Sequence, residues 1–372
     1  MFTPLYKTLA AFSLFAACCA SADAALKVDP IFGVGDTTDF PGSVPITKAA
    51  NAATVEASID AAVTQVESLI SNSFTFKINF VDDPNTDLGA SVDTGSFDLP
   101  YHQYVADLEA NTSKSAYDTS ALYYLPKTAG SGINKNSTEV NIVAPLLDAI
   151  GDTAAGNSLI AQNGGYIGTI ALNLSAMNLS RKSDNPNDYD LESVVMHEVD
   201  ECLGIGGTGS TLGGTATDVG VMDLFRYSAA GVKSYTGSST AVSYFSITGG
   251  KTDLVHFNQS PDGDYGDWGD GVTPADDQGN TPPQVQDGFG DPGTQPNMGR
   301  NEAIALDVTG WNLTTAGLDL EEGKTAATAQ SAASLPTSRL VLQAVPEPAD
   351  YACLLLGALA VIPSLRRRRK AA

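Results

Sequence analysis

The sequence predicts an α+β domain, and three features carry that expectation. A helix-spaced apolar stretch runs straight into an alternating strand early in the chain. Two more strand-like runs follow. A mostly apolar helix then carries a knot of ionisable residues, after which Gly and Asp dominate and periodicity fades.

Val55, Ile59, Val63, Val66 and Ile70 recur at helical spacing, which predicts an amphipathic helix within Ala49–Ser71. Phe74–Phe80 (FTFKINF) alternates apolar and polar residues before Asp82-Asp83-Pro84, the signature of a bounded strand. A second helix is expected over Tyr101–Ala110, with strands around Glu139–Val143 and Tyr166–Leu172. Asp190 offers a cap for a helix over Leu191–Leu203, and Gly204 ends it. The half beyond is expected to be irregular. No internal repeat is visible, so residues 25–323 are expected to form one domain, with the Ala/Ser/Thr-rich 324–344 as a linker.

The 372 residues include 20 Lys+Arg against 43 Asp+Glu, a formal charge of -23 that argues against nucleic acid as a partner. With 42% hydrophobic and 17% charged residues the chain is too apolar for a disordered protein. Residues 1–24 read as a secretory signal: Lys7, an apolar run from Leu9 to Ala20, then Ala20-Ser21-Ala22 or Ala22-Asp23-Ala24 as a cleavage site. With Cys18 and Cys19 in that signal and Cys353 in the tail, Cys202 stands alone in the body and no intrachain disulfide is expected there.

Residues 345–372 form a second address. Val345-Pro346-Glu347-Pro348 precedes the apolar run Tyr351–Leu365, short for a membrane span, and the cations Arg366–Lys370. This order closely resembles the PEP-CTERM sorting signal of Gram-negative bacteria. The resemblance implies export, transient anchoring in the inner membrane by the C-terminal helix, processing by an exosortase-type enzyme, and a cell-surface or extracellular destination.

The chemistry is concentrated in Met196-His197-Glu198-Val199-Asp200-Glu201-Cys202. At about 100° per residue, His197 and Glu201 fall on one helix face a turn apart. That is how an HExxH helix offers two zinc ligands while the intervening Glu serves as general base. Here Glu replaces the second His, and carboxylate oxygen is an accepted zinc ligand. His197 and Glu201 are therefore candidate metal ligands and Glu198 the candidate base. Glu pairs are also common on solvated helix faces, so the pattern alone is weak. The apolar lead-in and Gly204 strengthen it, whereas Gly207 stands where HExxHxxGxxH enzymes carry a third ligand. Cys202 reads as core.

The run Asp262-Gly263-Asp264-Tyr265-Gly266-Asp267-Trp268-Gly269-Asp270-Gly271 is oxygen-rich with turn-forming glycines, which makes calcium a second candidate cofactor. Its spacing is not that of an EF-hand, and acidic Gly loops are commonly solvated turns. A G-x-S-x-G nucleophile signature is absent.

MHEVDECLGIGG, VMDLFRYSAAG (221–231), YFSITGGKTDLVHFN (244–258), GDYGDWGD (263–270) and ALDVTGW (305–311) occur in this order. Together they resemble the PEP-CTERM-bearing metalloproteases, over about residues 160–312 and the tail. The resemblance implies a zincin-like domain with an active-site helix, zinc as cofactor, and a protein or peptide substrate. It makes Asp223 the first choice of third ligand, above a Met-turn-like Met222, and Tyr227 a candidate oxyanion stabiliser. A core strand with one satisfied Asp is an equal reading of Met222–Phe225. Asp218 and His256 are alternative ligands, His102 a weaker one. A non-catalytic surface or matrix protein on the same scaffold is the rival function.

Overall fold

The computed structural model describes residues 25–323 apart from 37, 112, 126–137, 183–184, 208–218 and 270–281. The terminal signals and the linker at 324–344 therefore lie outside the described residues, as do Asp218, Asp270 and Gly271.

Strands β1 (Lys27–Ile31) and β2 (Val44–Pro45) precede helix α1 (Ala52–Glu67). β3 (Thr75–Asp82), β4 (Gly89–Asp93) and β5 (Ser96–Pro100) lead to α2 (Tyr101–Ala110) and α3 (Ala116–Tyr124). β6 (Glu139–Val143), α4 (Ala144–Ala149), α5 (Thr153–Gln162) and β7 (Tyr166–Leu172) follow, then β8 (Met177–Asn178) and β9 (Tyr189–Asp190). Helix α6 (Leu191–Cys202) comes next. Beyond it lie β10 (Arg226–Ala229), β11 (Val232–Lys233), β12 (Tyr244–Phe245), β13 (Val255–His256), α7 (Arg300–Thr309) and α8 (Thr315–Glu321). The chain is thus α+β, as expected.

The main sheet has the order β1-β3-β7-β4, with β2 also on β3. β1, β3 and β7 are parallel, and β4 runs antiparallel to β7. Because side chains alternate along a strand, Phe76, Ile78 and Phe80 of β3 face one way, into the core with Val55, Ile59 and Val63 of α1. The opposite face carries a smaller cluster of Phe40, Val81, Ala90 and Ala171. On β4 the same alternation sends Ala90 to that smaller cluster and leaves Gly89 and Ser91 facing α6.

Helix α6 packs against β4 and β7 of this sheet and against α1. Asp190 caps it, accepting from Ser193 N at 3.1 Å. Gly204 ends it at φ +97°, donating to Glu201 O at 2.9 Å, a backbone state that an L side chain rarely adopts. Every residue of α6 except Glu192 is buried. A helix buried on all sides has no solvated face, so His197, Glu198, Asp200 and Glu201 are costly to keep charged unless partnered or neutralised inside.

The C-terminal half is more ordered than its composition implies. β10 to β13 form a small sheet in the order β11-β10-β12-β13, and α7 is a buried helix. The strands are two to four residues long, too short to show a period in sequence. Among the described residues no helix is long and apolar enough to cross a membrane.

Candidate metal centre

His197 and Glu201 project from α6 one turn apart, as their spacing demands. His197 Nε2 lies 3.2 Å from Glu201 Oε1 and 3.7 Å from Asp267 Oδ2. Ligand atoms of these three buried residues all fall within 4.8 Å of one another, a group able to hold a metal ion.

Each of the three has one atom tied by an outer partner and the other left facing the shared space. The imidazole Nδ1 is 3.0 Å from Val285 O, which fixes the hydrogen on Nδ1 and leaves a lone pair on Nε2. Glu201 Oε2 accepts from Ser91 Oγ at 2.9 Å, so Oε1 is free. Asp267 Oδ1 accepts from Gly207 N at 2.8 Å and Gln286 Nε2 at 3.0 Å, so Oδ2 is free. Gln286 Nε2 lies 3.5 Å from His197 Nε2, whereas Glu201 Oε1 and Asp267 Oδ2 are left unsatisfied, so the group is costly to bury unless a cation or protons sit between its members.

Glu198 stands beside this group, fully buried, with neither carboxylate oxygen meeting a donor. Gly89 of β4 makes room for it: a Cβ there would lie 2.3 Å from Glu198 Oε1. Burial pushes the Glu198 carboxyl up to about 7, with His197 opposing. Burial, and then the Glu198 charge, raise Glu201 well above the carboxylate range. Burial works against a charged His197, but Asp267 and Glu201 outweigh it and hold its pKa well above the usual value. Carboxyls pushed up and an imidazole held up mean that the cluster retains protons where no cation is bound.

The supports come from the C-terminal half. Gln286 N and Trp268 Nε1 donate to Glu302 Oε1 of α7 at 3.3 and 3.1 Å. Trp268 N donates to Gln286 O at 2.8 Å, so the loop bearing Asp267 runs beside the segment bearing Val285 and Gln286. A narrow cavity of ≈ 40 Å³ reaches His197 and Glu198 between Leu88, Val194 and Phe289. At roughly 10–15 Å³ per water it admits water rather than a large side chain. A wider hollow of ≈ 530 Å³ by Asn51 and Asn178 includes none of the cluster.

Asp223, expected as third ligand, is not in the group; Asp267 is. Asp223 is fully buried and paired with Arg226, whose Nε donates to Oδ1 at 3.1 Å, while Gly220 N donates to Oδ2 at 3.1 Å. Arg226 stacks 3.8 Å from the Phe257 ring centroid and donates to Tyr265 O, two residues before Asp267. Asp223 therefore steadies, through Arg226, the loop that bears Asp267. Tyr227 also lies apart from the three-residue group: its ring packs under Lys233 Nζ at 4.0 Å and close to Gly250, and burial pushes its hydroxyl up to about 12. His256 is held by Asp253 at 2.8 Å and stacks on Tyr244, and His102 is exposed. Cys202 is buried in the core.

Asp267 was within the acidic run that suggested calcium, but sequence reasoning did not connect it with α6. Its clue was the company of Tyr265 and Trp268, since aromatic residues interleaved with aspartates do not suit a solvated turn. Comparison with family models, curated proteins and solved structures finds no match. Function is therefore argued from the site.

Proposed function

We propose that the protein is an exported zinc-dependent peptidase. The observation that carries this reading is the convergence of His197 Nε2, Glu201 Oε1 and Asp267 Oδ2, the two carboxylate oxygens freed by partners on their other atoms, with an unbonded Glu198 alongside. Tetrahedral ligands about 2.1 Å from zinc stand about 3.4 Å apart, and the 3.2 and 3.7 Å separations straddle that value. These three residues would hold the metal. When bound, zinc supplies a Lewis acid that polarises a carbonyl and makes water acidic near neutral pH.

The chain's own residues supply the rest. Glu198 takes the proton from the attacking water at a carboxylate oxygen and returns it to the departing amine. Val285 O holds the imidazole in the tautomer that presents Nε2. The cavity between Leu88 and Phe289 gives water a route to Glu198. Export to the surface, by way of an exosortase-type enzyme and a transient membrane anchor, is proposed on the terminal signals.

Metal content of the purified protein tests the reading. About one zinc per chain, lost in His197→Ala, is expected, with peptide hydrolysis abolished in Glu198→Gln. A folded wild-type chain that binds no zinc would refute it. The narrowness of the cavity favours the rival reading, a surface or matrix protein in which the metal is structural. That reading predicts stoichiometric metal and no hydrolysis of any peptide in a diverse library.

A further inference from the structure

The replacement of an imidazole by a carboxylate at position 201 creates a problem that HExxH sites do not have. With its other nitrogen bonded, an imidazole presents one lone pair. A carboxylate presents two oxygens, and either or both can ligate. Cations with high coordination numbers, such as calcium, accept bidentate carboxylates in flexible sites, whereas zinc sites are mostly four-coordinate. Something must therefore settle how Glu201 presents itself.

Ser91 lies across the site helix on β4. Its Oγ donates to Glu201 Oε2 at 2.9 Å, and the other oxygen faces His197 Nε2 at 3.2 Å. Ser91 is 1% exposed, so water does not compete for the bond. Its backbone is fixed by the β4–β7 register, where Ser91 pairs with Ile170. Two residues earlier on the same face, Gly89 contributes no side chain, and Glu198 is left without a donor. One strand thus treats the two glutamates differently: it bonds Glu201 and leaves Glu198 free.

We propose that Ser91 is a positioning residue that holds Glu201 monodentate and so sets the site's preference for zinc over larger, oxygen-seeking divalent cations. The proposal rests on the metal-site reading above. Removing the hydroxyl leaves both Glu201 oxygens free to turn into the shared space, which weakens a four-coordinate site and favours a higher coordination number. A hydroxyl that merely satisfied a buried carboxylate would affect stability without changing metal preference.

The test is competition titration of the full chain against a chromogenic chelator, with zinc and manganese in turn, for wild type and Ser91→Ala. Zinc affinity is expected to fall about 10–100-fold, the range typical of lost outer-shell partners. Manganese affinity should fall less, so that the zinc-to-manganese ratio narrows. If the alanine variant does not fold, Ser91→Thr, which keeps the hydroxyl, is expected to retain the wild-type zinc-to-manganese ratio, and a narrowed ratio in it overturns the role of the hydroxyl. Unchanged affinities, or equal losses for both metals, overturn the role of Ser91 while leaving the metal site standing. A folded wild type that binds neither metal overturns both.

Discussion

Replacing Gly89 with alanine places a methyl carbon where Glu198 now sits. The added Cβ would be 2.3 Å from Glu198 Oε1, 2.9 Å from its Cδ and 2.7 Å from Val194 Cγ1. All three are below any normal carbon contact, so something has to move. β4 cannot retreat easily, since Gly89 is in register with Leu172 on β7, and Val194 belongs to the buried helix. The unbonded Glu198 carboxylate is the softest neighbour and should swing aside. Overpacking of this kind costs about 1–3 kcal/mol, and losing a positioned general base costs about 10²–10⁴ in rate. Zinc stoichiometry should be kept, because the three atoms nearest that Cβ belong to Glu198 and Val194 and none to His197, Glu201 or Asp267. The assay combines thermal melting, metal content and peptide hydrolysis on the same preparation. A variant that melts lower, binds zinc and no longer cleaves supports the argument. Full hydrolysis by a zinc-loaded Gly89→Ala protein would refute the role given to Glu198, and an unchanged melting temperature would refute the packing argument.

Other outcomes follow from the same geometry. Asp267→Asn should abolish zinc binding in a folded chain. Asp223→Ala should instead lower stability by about 3–5 kcal/mol by stranding the buried Arg226, with zinc stoichiometry retained in the folded fraction; loss of zinc at the same stability would return Asp223 to the ligand set. A second carboxyl cluster contributes to the pH response: burial first, then repulsion from Asp118 and Glu321, pushes Asp307 up to about 9, and burial takes Asp118 and Glu321 each to about 7. These folded-state values lie above the unfolded ones near 4, so their contribution is full below about pH 4 and is lost as pH rises through 7 to 9. Denaturant titrations from pH 5 to 9 should show falling stability, with a shallower fall in Asp307→Asn. Cys202, whose thiol burial pushes well up, should resist a thiol reagent in the native protein and react on unfolding, read by mass spectrometry of its peptide.

Local pattern made the site helix legible. Asp190, the apolar lead-in and Gly204 bracket α6 to within a residue, and α2, β6 and β7 fall at the expected bounds. His197, Glu198 and Glu201 were found because a helix converts sequence spacing directly into a shared face. Asp267 was hidden because its link to α6 is tertiary, made by Gly207 N, Gln286 and Glu302 from separate segments. Composition made its loop look solvated, whereas Trp268 is fully buried and bonded to Glu302. Asp223 was attractive because it follows the helix and lies in an apolar run, yet those properties equally suit the partner of a buried arginine. Helix α7 went unread because Glu302 and Asp307 break its apolar pattern, although both are buried.

The division of the ligands along the chain bears on the order of events at birth. His197 and Glu201 emerge together on one helix, but Asp267, and then the segment of Val285 and Gln286 that braces His197 and Asp267, are synthesised later. A nascent or truncated chain ending before Asp267 has two of the three residues able to hold a metal, and one ending before Val285 lacks the atoms that brace His197 and Asp267. On the metal-site reading, a three-residue site is complete only once the C-terminal half has packed against the helix. On that reading, chain order alone keeps the centre incomplete until the segment of Val285 and Gln286 is in place.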